Sequence, residues 1–225
     1  MRPLTNDWDW AYHGPLLWTA IGQTLQMVLV TLVIGGLLGL GYGLALYATR
    51  RGGLYAAGGV YAVLSFVVNL IRPIPFIIFI TAARPLTIAV TGTSLGVRAA
   101  IFPMVIVTIM ATARLVEQNL VAADPGVIEA ARAMGASRFN ALIHVLVPEA
   151  LGPLILGYAF LFVGVLDMSA MAGAIGAGGL GYFAISYGYD RYNDVVTWVA
   201  VGVIIVMVQI AQHLGNTLAR RVLHR

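Results

Sequence analysis

From Leu16 to Tyr47 the chain runs without one charged residue. About 20 apolar residues suffice to cross the hydrocarbon core of a bilayer, so this stretch reads as a membrane-spanning helix, long or tilted. Gln23, Thr24 and Gln26 lie near its start. The pattern recurs down the chain, and composition agrees with it. Of 225 residues, 60% are apolar and only 10% are charged, against about 25% charged in soluble domains. The few charges cluster between the apolar runs and cannot coat a water-facing surface.

Four further spans follow. The second, about Tyr55 to Thr81, is interrupted by Asn69, Arg72, Pro73 and Pro75. After an expected loop from Ala83 to Gly96, the third runs from about Leu95 to Val116, where Arg114, Glu117 and Gln118 mark emergence into water. The fourth covers about Leu151 to Ala174, and the fifth about Val195 to Leu214. A glycine-rich stretch, Gly173 to Gly181, and an aromatic and polar loop, Tyr182 to Asn193, lie between the last two. The expectation is an all-α polytopic membrane protein with five transmembrane helices forming one domain over residues 1–225. Trp8, Trp10 and Tyr12 suit the headgroup level. The N-terminal segment lacks the basic start and short apolar stretch of a signal peptide.

Five spans put the termini on opposite sides. With the N-terminus outside, Arg50, Arg51, Arg114, Arg132, Arg138, Arg220, Arg221 and Arg225 fall inside. Arg2, Arg84, Arg98 and Arg191 fall outside, and Arg72 stays within the membrane. The excess of inner arginine favours this orientation. It also puts the polar island at about residues 119–149 in the cytoplasm. No convincing internal repeat supports an inverted-repeat transporter.

All 13 basic residues are arginine. Without lysine there is no P-loop and no Schiff-base nucleophile. The chain therefore does not hydrolyse ATP by a P-loop mechanism. Cysteine is absent, which excludes disulfides and thiolate metal sites. The arginines are dispersed, which argues against a nucleic-acid partner. No His, Asp and Glu set has metal-ligand spacing, and no Ser, His and Asp arrangement suggests a nucleophile. Gly176-Ala177-Gly178-Gly179-Leu180-Gly181 matches the dinucleotide fingerprint literally. It lacks the strand before it and the βαβ setting that motif requires. Close helix packing or a hinge at Gly176, Gly178, Gly179 and Gly181 is the better reading.

The island carries a fixed layout. Glu129-Ala130-Ala131 is followed by three residues, Gly135, nine residues, and Val145-Leu146-Val147-Pro148. Asp124-Pro125-Gly126 before it is a helix-start signal. Two short helices meeting at Gly135, where a Cβ would obstruct the turn, can lie across a groove on a partner. This layout resembles the EAA loop of binding-protein-dependent ABC importers, with Val145 and Val147 in the places of the usual aliphatics. Arg72-Pro73-Ile74-Pro75-Phe76-Ile77, Gly92 to Gly96, Ser169 to Gly181 and Tyr187-Gly188-Tyr189 with Tyr192-Asn193 are similar to the permease of methionine-import ABC transporters. The similarity covers most of the chain from about Leu16.

The resemblance implies a permease subunit of an ATP-driven importer in the bacterial inner membrane, carrying methionine, D-methionine and related amino acids. It implies that Glu129, Ala130, Ala131, Gly135 and Pro148 dock an ATPase. A second copy of the chain, two ATP-binding subunits, an extracytoplasmic substrate-binding protein and membrane lipid are the implied partners. ATP would be held by the partner, with no cofactor on this chain. An importer for another amino acid or small solute remains an alternative, as does an ATPase-independent channel or scaffold.

Asp167 lies well inside the fourth span. A charge near the bilayer centre costs at least about 2.5 kcal/mol on insertion scales, so it should face the bundle interior or a cavity. There it meets a substrate ammonium or serves as a structural acceptor. It also departs from the resemblance, in which a small residue is expected. Met168 and Ser169 flank it as further candidates for the substrate path. Arg72, beside two prolines, has three possible roles: satisfying freed carbonyls, pairing with Asp167, or meeting a carboxylate. Met104, Met110 and Met171 read as ordinary packing, and His144 as a surface residue.

Overall fold

A computed structural model describes residues 7–223. Arg2 and Arg225, used above in the charge argument, lie outside the described residues. Every regular element among the described residues is helical. In chain order these are α1 (Trp10–Thr49), α2 (Gly58–Ile71), α3 (Phe76–Ala82), α4 (Arg84–Thr91), α5 (Val97–Ala122), α6 (Pro125–Ala133), α7 (Arg138–Asn140), α8 (Val147–Glu149), α9 (Leu151–Ala172), α10 (Gly179–Phe183) and α11 (Asp194–Leu223). Wide π-type turns join α7 to α8 and carry the chain from α9 into α10 and beyond it.

Among the described residues, four helices are long and apolar enough to cross a membrane: α1, α5, α9 with the turn after it, and α11. The pair α2 and α3 makes a fifth if it is taken as one broken span. Pro73 and Pro75 cause that break, because neither has an N–H to continue the ladder. Pro75 instead adopts an extended conformation and caps α3. At 1.5 Å per residue, α1 is about 60 Å long, twice the roughly 30 Å hydrocarbon core.

The structure differs from the sequence expectation in three places. The expected loop from Ala83 to Gly96 contains α4. Pro85 stands in its first turn, where a missing N–H costs nothing, and Gly92 ends it in the left-handed conformation at φ 77°. The expected loop from Tyr182 to Asn193 is also helical through most of its length. Finally, Arg114 and Glu117 do not mark the end of a helix, since α5 continues to Ala122. They form an ion pair at 2.6 Å and are nearly buried. Arg114 also donates to Asn69 Oδ1 at 2.6 Å and to Ser65 Oγ at 3.3 Å. With Glu117, these partners on α2 supply the guanidinium with acceptors from the protein, so it does not depend on water for them.

The chain divides into two compact units. The first comprises α1 up to Ile34, Ile74–Ile106 and Phe162–Ala211. Its core is Leu17, Ala20, Leu180, Phe183, Val196 and Ala200, with Trp8 and Tyr187 against it. Asn193 donates to the Asp7 carbonyl at 2.9 Å, and Arg191 to the Tyr12 hydroxyl at 3.1 Å. The second comprises Gly35–Pro73, Val107–Leu161 and the end of α11 from Gln212. There α1 approaches α5 at Gly39 and Gly43. A Cβ at either would meet Thr112 or Val116 and the backbone carbonyls of α5 at under 3 Å. Small residues at such crossings let helices pack where lipid offers no hydrophobic drive. Tyr158 of α9 donates its hydroxyl to the Gly36 carbonyl at 2.8 Å.

Candidate docking loop and substrate path

The polar island is a corner made of two capped helices. Asp124 is the N-cap of α6 and accepts from the Gly126 N–H at 2.8 Å, with Pro125 at the first helical position. These are the preferred residues at such a start. At the other end the Gly135 N–H bonds to the Arg132 carbonyl at 3.0 Å, and the Ala136 N–H to the Ala131 carbonyl at 3.0 Å. That pair is the Schellman arrangement. It needs a left-handed residue, and Gly135 supplies it at φ 87°. A Cβ there would have no neighbour within 4 Å. The demand for glycine is therefore conformational, not the steric obstruction expected from sequence.

Ser137 then starts the second helix by accepting from the Asn140 N–H at 3.2 Å. Pro148 is the second residue of α8 and cannot donate. Just before it the Val147 N–H reaches back five residues to the Leu142 carbonyl. The widened turn Ala141–Leu146 accommodates the proline without breaking the helix.

Leu142, Leu146, Ala150 and Leu154 are buried with Tyr47, Ala48, Val116 and Leu120, and Ile128 and Val147 pack against them. Burying a leucine is worth about 1.5–3 kcal/mol, so the corner is held to α1, α5 and α9 by its apolar side. Its other side is open. Glu129, Ala130, Arg132, Ala133, Gly135 and Pro148 are exposed, Met134 is 83% exposed, and Ala131 alone of the Glu-Ala-Ala triplet is buried. Between α6 and the turn joining α1 to α2 lies a cleft of about 1010 Å³, reached by Arg50, Tyr55, Glu129, Arg132 and Arg138. Arg138 lies over the Tyr55 ring at 5.8 Å and Arg50 over the Tyr47 ring at 4.4 Å. Tyr47, Arg50 and Tyr55 are members of this site that sequence reasoning passes over. The signal available was the Arg50-Arg51-Gly52-Gly53 turn.

The residues of the expected substrate path separate by exposure. Asp167 is exposed on α9. Pro153, Leu156, Phe160, Gly164 and Asp167 recur three or four apart on one exposed stripe of that helix. Met168 and Ser169 turn the other way and are buried, and Ser169 donates to the Leu166 carbonyl at 2.7 Å. Arg72 is exposed at the end of α2, where its N–H bonds to the Val68 carbonyl. Met104 and Met110 are buried, and His144 is exposed. No group of three or more His, Asp or Glu among the described residues is arranged for a metal ion.

After α9 the chain reverses. Gly176 and Gly178 take φ of 97° and 89°, and the chain returns as α10. A Cβ on Gly173 would meet the Tyr182 nitrogen, and one on Gly181 would overlap the Ala170 backbone. The two arms of this hairpin therefore touch backbone to backbone. Its tip is tied by the Gly96 N–H to the Gly176 carbonyl at 3.3 Å. The first N–H groups of α10 have acceptors on α1. Gly179 donates to Gln23 Oε1 at 2.7 Å, and Leu180 to Thr24 Oγ1 at 2.8 Å.

A many-span helical chain that holds out a capped, exposed helical corner on an apolar anchor has the build of the membrane component of a transporter driven through a docked subunit. Comparison with known proteins makes this specific. Residues 41–224 match the model of the family described as the binding-protein-dependent transport system inner membrane component. The probable D-methionine transport system permease protein MetI of Vibrio cholerae is 40% identical over 215 residues, covering 96% of each chain. The methionine import system permease protein MetP of Bacillus subtilis is 40% identical over 200 residues, covering 89% of this chain and 90% of that one. A chain from the MetNI methionine ABC transporter, solved in inward-facing conformations, superposes with a TM-score of 0.91 at 38% identity, covering 93% of this chain and 97% of that one. The chain belongs to the binding-protein-dependent inner membrane components, and within them to the MetI and MetP permease family. It is a multi-pass inner-membrane protein and a permease component of an ABC transporter.

Proposed function

We infer that this chain is the membrane-spanning subunit of an ATP-driven importer that carries methionine, D-methionine and related amino acids inward. The observation that carries the reading is the Glu129–Pro148 corner, anchored by Leu142 and Leu146 and exposed at Glu129, Ala130, Gly135 and Pro148. Its exposed alanines let a partner approach closely. A chain without lysine holds no P-loop, so an ATP-driven cycle draws on a separate ATPase. Two such subunits bind at the cytoplasmic face, with the N-terminus outside and the C-terminus inside, in keeping with the arginine asymmetry. The relatives named for methionine support the choice of substrate.

The working form is a homodimer with the path on its axis. Asp167 supports this. It lies on an exposed stripe of a membrane-spanning helix, and a charge facing lipid costs at least about 2.5 kcal/mol. A second copy or an aqueous path must cover it. A binding protein delivers substrate at the outer face. Nucleotide-driven closure of the ATPases brings paired corners together and shifts the cavity from inward to outward access. The nucleotide shifts that population only through contacts that differ between the two states.

The test is uptake of labelled methionine into vesicles holding the chain with its ATPase subunits, with ATP inside and binding protein outside. Glu129→Lys with Gly135→Asp should abolish both ATPase docking and uptake while the chain still inserts. Undiminished uptake in that variant would overturn the reading.

A further inference from the structure

The hairpin from Ala172 to Phe183 has an unusual dependence. A helix normally satisfies its first N–H groups with a cap from the residue just before it. Here that residue is Gly178, which has no side chain. The acceptors come from Gln23 and Thr24, 156 residues away. Thr24 is 2% exposed, so water does not compete for the Leu180 N–H. Gln23 and Thr24 also sit where glycines leave room for them. A Cβ on Gly178 would strike Gln23, and one on Gly179 would strike Thr24. The glycines at these two positions thus admit the clasp as well as the turn.

We propose that Gln23 and Thr24 are positioning residues for transport. They clasp the start of α10 to α1, so that Gly176 to Gly178 are the joint about which the end of α9 moves. Three observations point to this role. The hairpin is strapped at both sides of its tip, by Gly96 on one and by Gln23 and Thr24 on the other. The positive φ values run from one strap to the other, at Gly176, Gly178 and Gly179. Gln23 also lines a cavity of about 510 Å³ with Thr19, Gly176, Tyr182 and Tyr187, so there is space for the joint to move into. α9 runs unbroken from Leu151, two residues past the docking corner, to Ala172 at the hairpin. A helix driven at one end bends a joint at the other only if the far side of the joint is held. Without the clasp the hairpin would travel with α9 and ATP hydrolysis would run without opening the path.

The proposal rests on the transport reading above, and the experiment separates the two. The complex with its ATPase subunits is reconstituted in vesicles, and ATP hydrolysis and uptake of labelled methionine are measured together. The chain has no cysteine, so Ile175→Cys, at a position 40% exposed, reports the hairpin alone through its rate of reaction with a maleimide. Gln23→Leu with Thr24→Val keeps the volume and removes both acceptors. It should cut uptake about tenfold and raise the labelling rate by a similar factor, the shift expected when buried N–H groups lose their partners. ATP hydrolysis should stay within about twofold of wild type, as should uptake by the conservative pair Gln23→Glu with Thr24→Ser, which keeps both acceptors.

Wild-type uptake in the double variant would overturn the clasp. So would a parallel loss of hydrolysis and uptake with labelling unchanged, and so would a conservative pair as impaired as the apolar one. Absence of methionine uptake in the wild type would sink the transport reading instead. In that event, labelling that differs between the two pairs still supports the clasp, and equal labelling overturns it.

Discussion

The corner at Gly135 and the hairpin at Gly176 to Gly181 are both chain reversals built on left-handed glycine, yet they are stabilised in opposite ways. The corner is self-sufficient. Asp124, Gly135 and Ser137 cap its helices from within the same stretch, and a Cβ on Gly135 would meet nothing. The hairpin is made by its surroundings. Its glycines lie against the Ala170 backbone and the side chains of Gln23 and Thr24, and its helix is capped from α1. A surface that has to meet a partner is best defined locally, because it must hold its shape while exposed. A joint that must respond to other helices is necessarily tied to them.

If the corner's shape is local but its attachment is not, the largest effect should come from the attachment. Leu146 is 1% exposed in the cluster that holds the corner to α1, α5 and α9. Leu146→Ala should cost about 2–5 kcal/mol of local stability, read as rapid proteolytic cutting between Ala123 and Glu149 in detergent. Cutting no faster than wild type would show that the capped helices hold the corner without their apolar anchor.

The glycines divide the two regions next. Gly181→Ala forces a methyl into the Ala170 backbone, an overpacking of about 1–3 kcal/mol, seen as a lower Tm of the purified chain. Gly135→Ala meets no atom but keeps the left-handed strain of about 1–2 kcal/mol. Gly135→Asn should recover part of that loss, because asparagine tolerates this conformation. Gly181→Asn should be worse than Gly181→Ala. The same rank order at both sites would mean that their constraints do not differ.

This contrast also explains what is legible in the sequence. Leu16 to Tyr47 announces α1 because an uncharged run has few alternatives, and Asp124-Pro125 announces α6 because a cap acts on its own neighbours. The Glu-Ala-Ala layout and Gly135 are readable for the same reason. α4 is hidden because Arg84-Pro85 looks like a breaker, though proline at a helix start is favourable. Arg114 and Glu117 look like a helix end because Arg114's other partners, Ser65 and Asn69, lie on another helix. Gln23 and Thr24 look like ordinary polar residues in a span until α10 is placed beside them. The hidden features are those whose satisfaction lies far along the chain.

The smallest effect tests the claim of local definition most directly. Asp124→Ala removes the acceptor of the Gly126 N–H and should cost about 1 kcal/mol. Ser137→Ala should cost a similar amount at the Asn140 N–H. Each cap acts on its own helix and the two share no partner, so the double variant should lose the sum to within about 0.5 kcal/mol. Protection of the α6 and α7 amides from hydrogen exchange reads each loss separately, with α6 opening in the first variant and α7 in the second. Asp124→Asn, which keeps an acceptor oxygen, should hold most of the protection at α6. If either single variant opened both helices together, the corner would be one cooperative unit joined through Gly135. Its exposed face would then behave like the hairpin, set by its connections and not by its own caps.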